Sequence, residues 1–343
     1  MKRIGNLKQY WCNYEALLTA WHEVRKDKTY HHQILAFENN LAVNLTRILT
    51  EIENNSYQGK PTRDFYITDP KKRLIQAPHL EDRIVQHALL KVIRDLIENR
   101  FIDQTYACRT GKGTHKASGL LKSYLITYKN NGYYLKIDVK KFFYSINHKI
   151  LEHQLKKIIK CKPTLELLKK FYHNDSGIGL PLGNVTSQVL ANLALSPVDH
   201  FIKRILKIKH YIRYMDDFIL LCKSKLKLKL ILKNIKRLLA HLHLTANEKT
   251  QIGLIKNGID FVGYRTWFTH KIIRKRSLYK IKRILKKFPD QNRISSYMSH
   301  SKQTASLLYV VRQILESAPD FEYFVKHWLI KNKYEVHNAL LQM

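Results

Sequence analysis

Two adjacent acids, Asp216 and Asp217, lie between the apolar runs Tyr211-Ile212-Arg213-Tyr214-Met215 and Phe218-Ile219-Leu220-Leu221-Cys222. Between His200 and Asn247 the chain carries twelve Lys or Arg residues and only these two acids. An Asp-Asp pair at a turn is ordinarily just polar. Acids present for solubility would scatter among the lysines, however, and two like charges side by side repel unless a cation holds them. A divalent cation does so, since Mg²⁺ is commonly held by one or two carboxylates together with substrate phosphates. Asp138 closes another apolar run, Tyr133-Tyr134-Leu135-Lys136-Ile137, and offers a third carboxylate. Two strands laid side by side would bring Asp138 and Asp216 to one sheet edge. There a pair of metal ions about 3.5–4 Å apart can activate an attacking hydroxyl and stabilise a leaving pyrophosphate.

The rest of the composition agrees with a polyanionic substrate. The 343 residues include 61 Lys plus Arg against 27 Asp plus Glu, a formal net charge of +34, with a pI near 9.9. Hydrophobic residues make up 45% and aromatics 11%, with only 12 Gly and 8 Pro, so the charge sits on a folded body and not on a disordered tail. A small neutral metabolite is a poor match to such a field, and a nucleic acid a good one. Cys12, Cys108, Cys161 and Cys222 form no C-x-x-C pair, which excludes a zinc finger and a disulfide framework. His31-His32 and His241-x-His243 have no Cys or carboxylate at ligand spacing and read as surface or core histidines. The basic N-terminus lacks an apolar signal core, and no run reaches the roughly 18 apolar residues of a membrane span, so a cytoplasmic protein without membrane contact is expected.

The elements that must position these acids are mixed, without a regular βαβ rhythm, and the expected class is α+β. Residues 14 to 54 carry apolar positions at helical spacing. Phe65-Tyr66-Ile67 and Lys72-Arg73-Leu74-Ile75 flank the turn signal Thr68-Asp69-Pro70-Lys71 and predict a hairpin. Asp82 is placed to cap a following helix. A strand is expected over 133–138, a Lys-rich helical stretch over 151–172, and a helix over 184–206. A tight hairpin follows around Asp216-Asp217, then a basic helix over 225–244, a strand over 259–264, and mostly helix after 271.

These motifs resemble those of reverse transcriptases. Tyr214-Met215-Asp216-Asp217 is similar to their YxDD box, and Ile137-Asp138-Val139-Lys140-Lys141-Phe142-Phe143 to the carboxylate motif before it. The stretches 71–86 and 106–117 resemble the two fingers motifs. Asn247-Glu248-Lys249-Thr250 and Phe261-Val262-Gly263-Tyr264 resemble those after YxDD. The resemblance covers roughly residues 65 to 265. Gly179-Leu180-Pro181-Leu182-Gly183-Asn184-Val185-Thr186-Ser187-Gln188 is similar to the box of diversity-generating retroelement enzymes, where retroviral and group II intron enzymes carry Gln-Gly followed by Ser-Pro. From the length, the maturase and endonuclease domains of many intron-encoded enzymes are not expected.

The resemblance implies a right-hand polymerase fold: an N-terminal helical extension over 1–64, fingers over 65–132, a palm over 133–268 and a helical thumb over 269–343. It implies RNA-templated synthesis of DNA from dNTPs with two Mg²⁺ ions, Mn²⁺ being able to substitute. Asp138, Asp216 and Asp217 would be the catalytic metal ligands, with the Val139 carbonyl. Lys249 would protonate the leaving pyrophosphate or merely balance charge. Arg73 and Arg109 would grip the triphosphate through their planar forks, unless they are solvated or face RNA. Phe143 would exclude a ribose 2′-OH or be an ordinary core ring, whereas Phe142 faces the other way on a strand. Leu182, Gly183 and Gln188 would line the nucleotide site, Gly183 by close approach of its backbone to the nascent base pair. Leu182, where most relatives have Gln, is expected to relax base discrimination in line with adenine-directed errors. Phe261, Val262 and Gly263 would form the primer grip. Lys225, Lys227, Lys229, Lys233, Lys236 and Arg237, then Arg274, Lys275 and Arg276, would follow the backbone of an RNA–DNA hybrid or be simply solvated. The remaining expected partners are a retroelement RNA template and a small oligomeric accessory protein. Another bacterial reverse transcriptase, of retron, group II-like or phage-defence type, is the alternative. A non-catalytic RNA-binding protein is the third reading, disfavoured because all three carboxylates are present.

Overall fold

In the computed structural model the described residues are 3–28, 31–68, 71–287 and 289–332. The chain divides into two compact units, each assembled from three segments. The first comprises residues 1–109, 137–209 and 231–250, the second 110–136, 210–230 and 251–343. The strands are β1 (Arg63–Ile67), β2 (Arg73–Ala77), β3 (Tyr133–Asp138), β4 (Tyr211–Tyr214), β5 (Asp217–Cys222), β6 (Gln251–Leu254), β7 (Ile259–Phe261), β8 (Tyr264–Thr266) and β9 (Lys271–Ile273). They form a β1-β2 hairpin, a sheet of order β4-β5-β3-β6 and a sheet of order β7-β8-β9. Among the described residues no helix is long and apolar enough to cross a membrane.

In the first unit the N-terminal apolar spacing resolves into helices Lys8–Trp11, Tyr14–Arg25, His32–Glu38 and Leu41–Glu53. Asn13 caps the second of these by accepting from Ala16 N, and Leu17, Trp21, Leu45 and Ile48 are buried in its core. Tyr14–Arg25 packs on the helix Leu80–Glu98. His79, and not Asp82, is the N-cap of that helix. Asp82 lies inside the first turn, 4% exposed, where it accepts from Tyr57 Oη at 2.5 Å and Lys60 N at 2.9 Å and so fastens the incoming loop. The stretch 151–172 is also broken. Helix His148–Lys156 ends and Lys162–Lys170 begins anew with Pro163 in its first turn, the position proline tolerates best. The β1-β2 hairpin has the expected antiparallel pairing, Arg63↔Ala77 to Ile67↔Arg73, while Asp69 and Pro70 of its turn lie outside the described residues.

In the second unit, β5 is an apolar run with every residue from Phe218 to Leu221 buried, and β4 beside it buries Tyr211, Ile212 and Arg213. The expected single strand over 259–264 is instead the β7-β8 hairpin. Val262 (φ 44°) and Gly263 (φ 95°) both take positive φ between the paired Phe261 and Tyr264, the requirement of a two-residue hairpin turn. Glycine meets that requirement freely, whereas for β-branched Val262 it is strained. Tyr264 and Ile273 then pack into one core with Ile281, Leu285, Met298, Val311, Ile314 and Leu329 of the C-terminal helices. Residues 333–343 of the expected thumb lie outside the described residues.

Candidate active site

The β4-β5 turn presents Asp216 and Asp217 as the sequence pattern predicts. Tyr214 pairs with Asp217, which leaves Met215 and Asp216 as the turn, Met215 in the left-handed region at φ 54°. Arg213, fully buried on β4, donates from its Nη1 to the Met215 carbonyl at 2.9 Å and so braces the strained residue from below. A guanidinium without contact with water is costly unless its donors are used, and this one is spent on the turn that carries the acids. Lys136 on β3 reaches the same turn, its ammonium 2.9 Å from Asp217 Oδ2 and donating to the Asp260 carbonyl on β7 at 2.7 Å. Neither Lys136 nor Arg213 was singled out from the sequence. In a chain with 61 basic residues, the usable signal was position: one precedes the turn on an apolar strand, and the other stands two residues before Asp138, on the same face of β3.

Asp138 ends β3. Its carbonyl accepts from Asn247 N at 2.6 Å, and its Oδ2 accepts from Asn247 Nδ2 at 2.8 Å. Asn247 thus orients a carboxylate that the sequence alone leaves unpartnered. Val139, 2% exposed, bridges Ala246 in antiparallel fashion, with Asn247 N→Asp138 O and Lys140 N→Thr245 O on either side. In that pattern the bridged residue's own carbonyl turns away from its neighbour, so the Val139 oxygen is not consumed by Ala246. Lys249 is exposed, and only its backbone is fixed, by donation to Asn247 Oδ1 at 3.1 Å. Among the described residues no three His, Cys, Asp or Glu side chains come together as a metal-holding group. Asp138 and the Val139 carbonyl belong to the first unit and Asp216 and Asp217 to the second, and all four offer hard oxygens, the donor class that suits Mg²⁺.

The nucleotide-site expectations divide. Phe143 is half-buried, with Phe142 buried beneath it at a ring separation of 5.6 Å. Both lie on the one-turn helix Phe142–Ser145, which corrects the expectation that Phe142 sits on a strand. Gln188 is exposed on a helix, Val185–His200, whose other residues are buried or half-buried. Gly183 does serve a close approach, but to β2. Leu182 O accepts from Gln76 N at 2.7 Å, and a Cβ on Gly183 (φ 135°) would come within 2.9 Å of the Gln76 carbonyl carbon. Arg73 is exposed at the start of β2 and fits an anion grip. Arg109 does not: its guanidinium is engaged by Glu98 at 3.2 Å and by the carbonyls of Ile102 and Thr105 at 2.9 and 3.0 Å, with its side chain 14% exposed. It closes the loop after helix Leu80–Glu98, so the triphosphate grip expected of it does not follow from this placement.

The expected grip residues Phe261, Val262 and Gly263 form the end of β7 and its turn; Phe261 is buried and Gly263 approaches the His300 ring. Tyr264 donates to the His300 carbonyl at 3.0 Å, and its hydroxyl lies 3.0 Å from His300 Nδ1 and 3.4 Å from His115 Nδ1. Burial pushes the Tyr264 phenol up to about 12. Burial also lowers both histidines, His115 helped by Lys271, and His300 by His115, Arg274 and Lys271. The helix Lys225–His241 buries Leu228, Ile231, Ile235 and Leu239 and exposes Lys225, Lys227, Lys229, Lys233, Lys236 and Arg237. Arg274, Lys275 and Arg276 are likewise exposed.

Residues 60–266 match the family described as reverse transcriptase (RNA-dependent DNA polymerase). Curated relatives include protein YkfC of Escherichia coli strain K12, 28% identical over 298 residues, covering 73% of this chain and 77% of that protein. The group II intron-encoded protein LtrA of Lactococcus lactis is 26% identical over 171 residues, 46% of this chain and 28% of LtrA. Among solved structures, apo telomerase from Candida tropicalis aligns with a TM-score of 0.52 at 14% identity, covering 86% of this chain and 63% of that one, a likeness of fold. The acid-bearing hairpin, the sheet behind it and these matches define a nucleic-acid polymerase of the right-hand fold. The family match extends over more than half of the chain, from just before β1 to the end of β8. The chain belongs to the reverse transcriptase family, the RNA-directed DNA polymerases.

Proposed function

We propose that this reverse transcriptase serves a diversity-generating retroelement, copying a template-repeat RNA into cDNA with errors concentrated opposite adenine. The observation that carries this reading is the box with Leu182-Gly183 and Ser187-Gln188. Its main chain is fastened to β2 through Gln76, so the apolar Leu182 side chain has a fixed attachment point where most relatives present a glutamine amide. Losing that amide removes a polar contact near the incoming nucleotide.

Asp138, Asp216, Asp217 and the Val139 carbonyl would hold Mg²⁺ in this reading. When bound, the ions supply activation of the primer hydroxyl and charge stabilisation at the leaving pyrophosphate. The chain's own residues orient these groups: Asn247 fixes Asp138, while Lys136 neutralises and holds Asp217. Arg213 fixes the turn, and exposed Arg73 and Lys249 stand ready for phosphate. Phe143 selects against ribose, and Phe261, Val262 and Gly263 position the primer. RNA template, dNTPs and a small oligomeric accessory protein are the proposed partners, in a bacterial cytoplasm. The similarity to LtrA and YkfC favours a second reading, a group II-like bacterial enzyme.

Primer extension on a heteropolymeric RNA template with sequencing of the cDNA separates them. Misincorporation concentrated opposite template adenine, and reduced by Leu182→Gln, is expected. An error spectrum even across the four template bases favours the second reading, and no dNTP incorporation with Mg²⁺ or Mn²⁺ refutes both.

A further inference from the structure

The helix Phe142–Ser145 carries Phe143, the ring proposed above to exclude a ribose 2′-OH. A single turn has too few internal hydrogen bonds to hold its own shape. The Phe143 carbonyl is among the last of the helix, which find no donor within it. It accepts instead from Leu180 N at 2.7 Å. The N–H of Leu180 and the carbonyl of Gly179 belong to one peptide unit, which is planar and rigid. The other end of that unit is held by His148, whose Nε2 lies 2.6 Å from the Gly179 carbonyl oxygen. A carbonyl only accepts, so Nε2 carries the proton and donates. The Gly179–Leu180 peptide is thus clamped at both ends, by His148 at its oxygen and by Phe143 at its N–H. Bonds in such a chain polarise one another through the amide and strengthen together.

His148 is 2% exposed, at the first position of the helix His148–Lys156. Its ring is set by Tyr172, edge-on at 5.2 Å, and by His173 at 5.7 Å. Its Nδ1 has no partner. A buried imidazole with one idle nitrogen costs free energy that an apolar side chain would not, and the bond to Gly179 is what that cost maintains. Gly179 stands at φ 94°, a conformation natural to glycine. Its wide backbone freedom leaves the tilt of the following peptide to that peptide's partners. The two stretches of chain are joined without the imidazole, by Gly179 N→Ile146 O at 2.8 Å, His148 N→Gly177 O at 3.0 Å and the Asn147↔Ile178 bridge. What the imidazole adds is the orientation of the one peptide that meets Phe143. We infer that His148 is a positioning residue for sugar selection: by fixing the Gly179–Leu180 peptide it fixes the Phe143 main chain, and with it the depth at which the Phe143 ring meets the sugar of the incoming nucleotide. The inference rests on the reading of Phe143 as the ring that excludes ribose.

The test is the ratio of kcat/KM for a dNTP to that for the matching rNTP, measured by primer extension with the full chain. His148→Leu fills the space and removes the donor; it should lower the ratio about tenfold, since a misplacement of about 1 Å can cost roughly 100-fold. His148→Gln carries its amide nitrogen to the place of the imidazole Nε2 and should hold the ratio within about twofold of the parent. His148→Asn, whose amide stops at the depth of Nδ1, should behave as the leucine variant does, and serves if that variant fails to fold. A residue with a merely structural role would lower Tm, or depress both nucleotides together, and leave the ratio alone. That result, or a ratio lowered as much by Gln as by Leu, overturns the inference. Phe143→Ala tests the reading beneath it. A ratio that collapses in Phe143→Ala but holds in every His148 variant leaves Phe143 in its role and overturns that of His148. A ratio unchanged in Phe143→Ala refutes the Phe143 reading and the route through it. Adding His148→Leu to Phe143→Ala should lower the ratio no further, and a further fall also overturns that route.

Discussion

Lys136→Met separates the two jobs that the Lys136 ammonium does. It lies 2.9 Å from Asp217 Oδ2 and donates to the Asp260 carbonyl at 2.7 Å. The Lys136 side chain is 18% exposed and that of Asp217 25%, so solvent screens the pair only partly. A hydrogen bond to a charged group is worth about 1.5–3 kcal/mol, and the lower figure suits a site with some water access. Without the lysine, Asp217 stands beside Asp216 with one counter-charge fewer, so the metal-free protein should lose about 1.5 kcal/mol, a fall in Tm of about 3 °C at roughly 2 °C per kcal/mol. A divalent ion reaching Asp217 no longer displaces an ammonium, and the same 1.5 kcal/mol returns as about tenfold tighter binding. Mn²⁺ titration followed by electron paramagnetic resonance reads that affinity without any turnover, and thermal unfolding with and without Mg²⁺ reads the stability. The metal-induced rise in Tm should be larger in the variant than in the parent. A variant with a lower metal-free Tm but unchanged Mn²⁺ affinity would refute the idea that Lys136 and the metal compete for one carboxylate.

Gly183→Ala places a Cβ against the Gln76 backbone at a positive φ, so β2 must yield; we expect about 2 kcal/mol of lost stability and a raised KM for dNTP, checked by calorimetry and steady-state extension. Arg109→Ala should lower Tm with little change in the KM for dNTP, because it breaks an internal pair, whereas Arg73→Ala should raise KM and leave Tm alone; the opposite assignment of effects would restore Arg109 to the triphosphate. His115 and His300 have pKa values lowered from 6.5 by burial and by the cations around them, Lys271 and Arg274. Their neutral forms are favoured in the fold, so their contribution is fully present above pH 6.5 and is lost as pH falls through 6.5 towards the folded values. Tm measured from pH 7.5 to 5.5 should therefore decline at the acid end, and less steeply in His300→Gln. Lys225, Lys229, Lys233 and Lys236 recur at spacings of four, four and three, one row along their helix. Changing all four to Gln should flatten the dependence of log Kd for an RNA–DNA hybrid on log salt by about 3, and an unchanged slope marks the row as solvated only.

The acid-bearing hairpin was legible because its charge pattern and its fold use the same residues. Two runs that are apolar apart from Arg213 can bury both faces only as interior strands, and the acids between them then have nowhere to go but the turn. β3 ended on Asp138 for the same reason. The β7-β8 turn was not legible, since Val262 is a strand former and its positive φ comes from the hairpin pairing, a case of tertiary structure overriding propensity. Asp82 fitted a helix cap by type but was recruited by Tyr57 and Lys60, partners more than twenty residues away. The break near Cys161 was signalled by Pro163, a proline that reads equally well as the first turn of a new helix. Asn247 was quoted as part of a motif, yet its hold on Asp138 spans 109 residues and leaves no trace in local spacing.

Charge shows the same division between what a sequence counts and what a fold spends. A net +34 treats all cations alike, but the structure sorts them by burial. Arg213 and Arg109 are committed to carbonyls and a carboxylate inside the protein. Arg47 and Lys60 converge on buried Glu81 at 2.8 and 2.7 Å, and although burial alone would raise that carboxyl, their hydrogen bonds hold it below the ordinary range. Lys136 belongs to both groups, since it is half internal tie and half neighbour of the acid-bearing turn. The acids are scarce, and Glu81, Glu98, Asp82 and Asp217 serve as anchors to which internal cations or hydroxyls are tied. What remains for nucleic acid is the exposed set on Lys225–His241, on β2 and at Arg274–Arg276. A residue's place in a motif therefore predicts a phosphate contact only where the fold leaves its head group in water, and that condition separates Arg73 from Arg109.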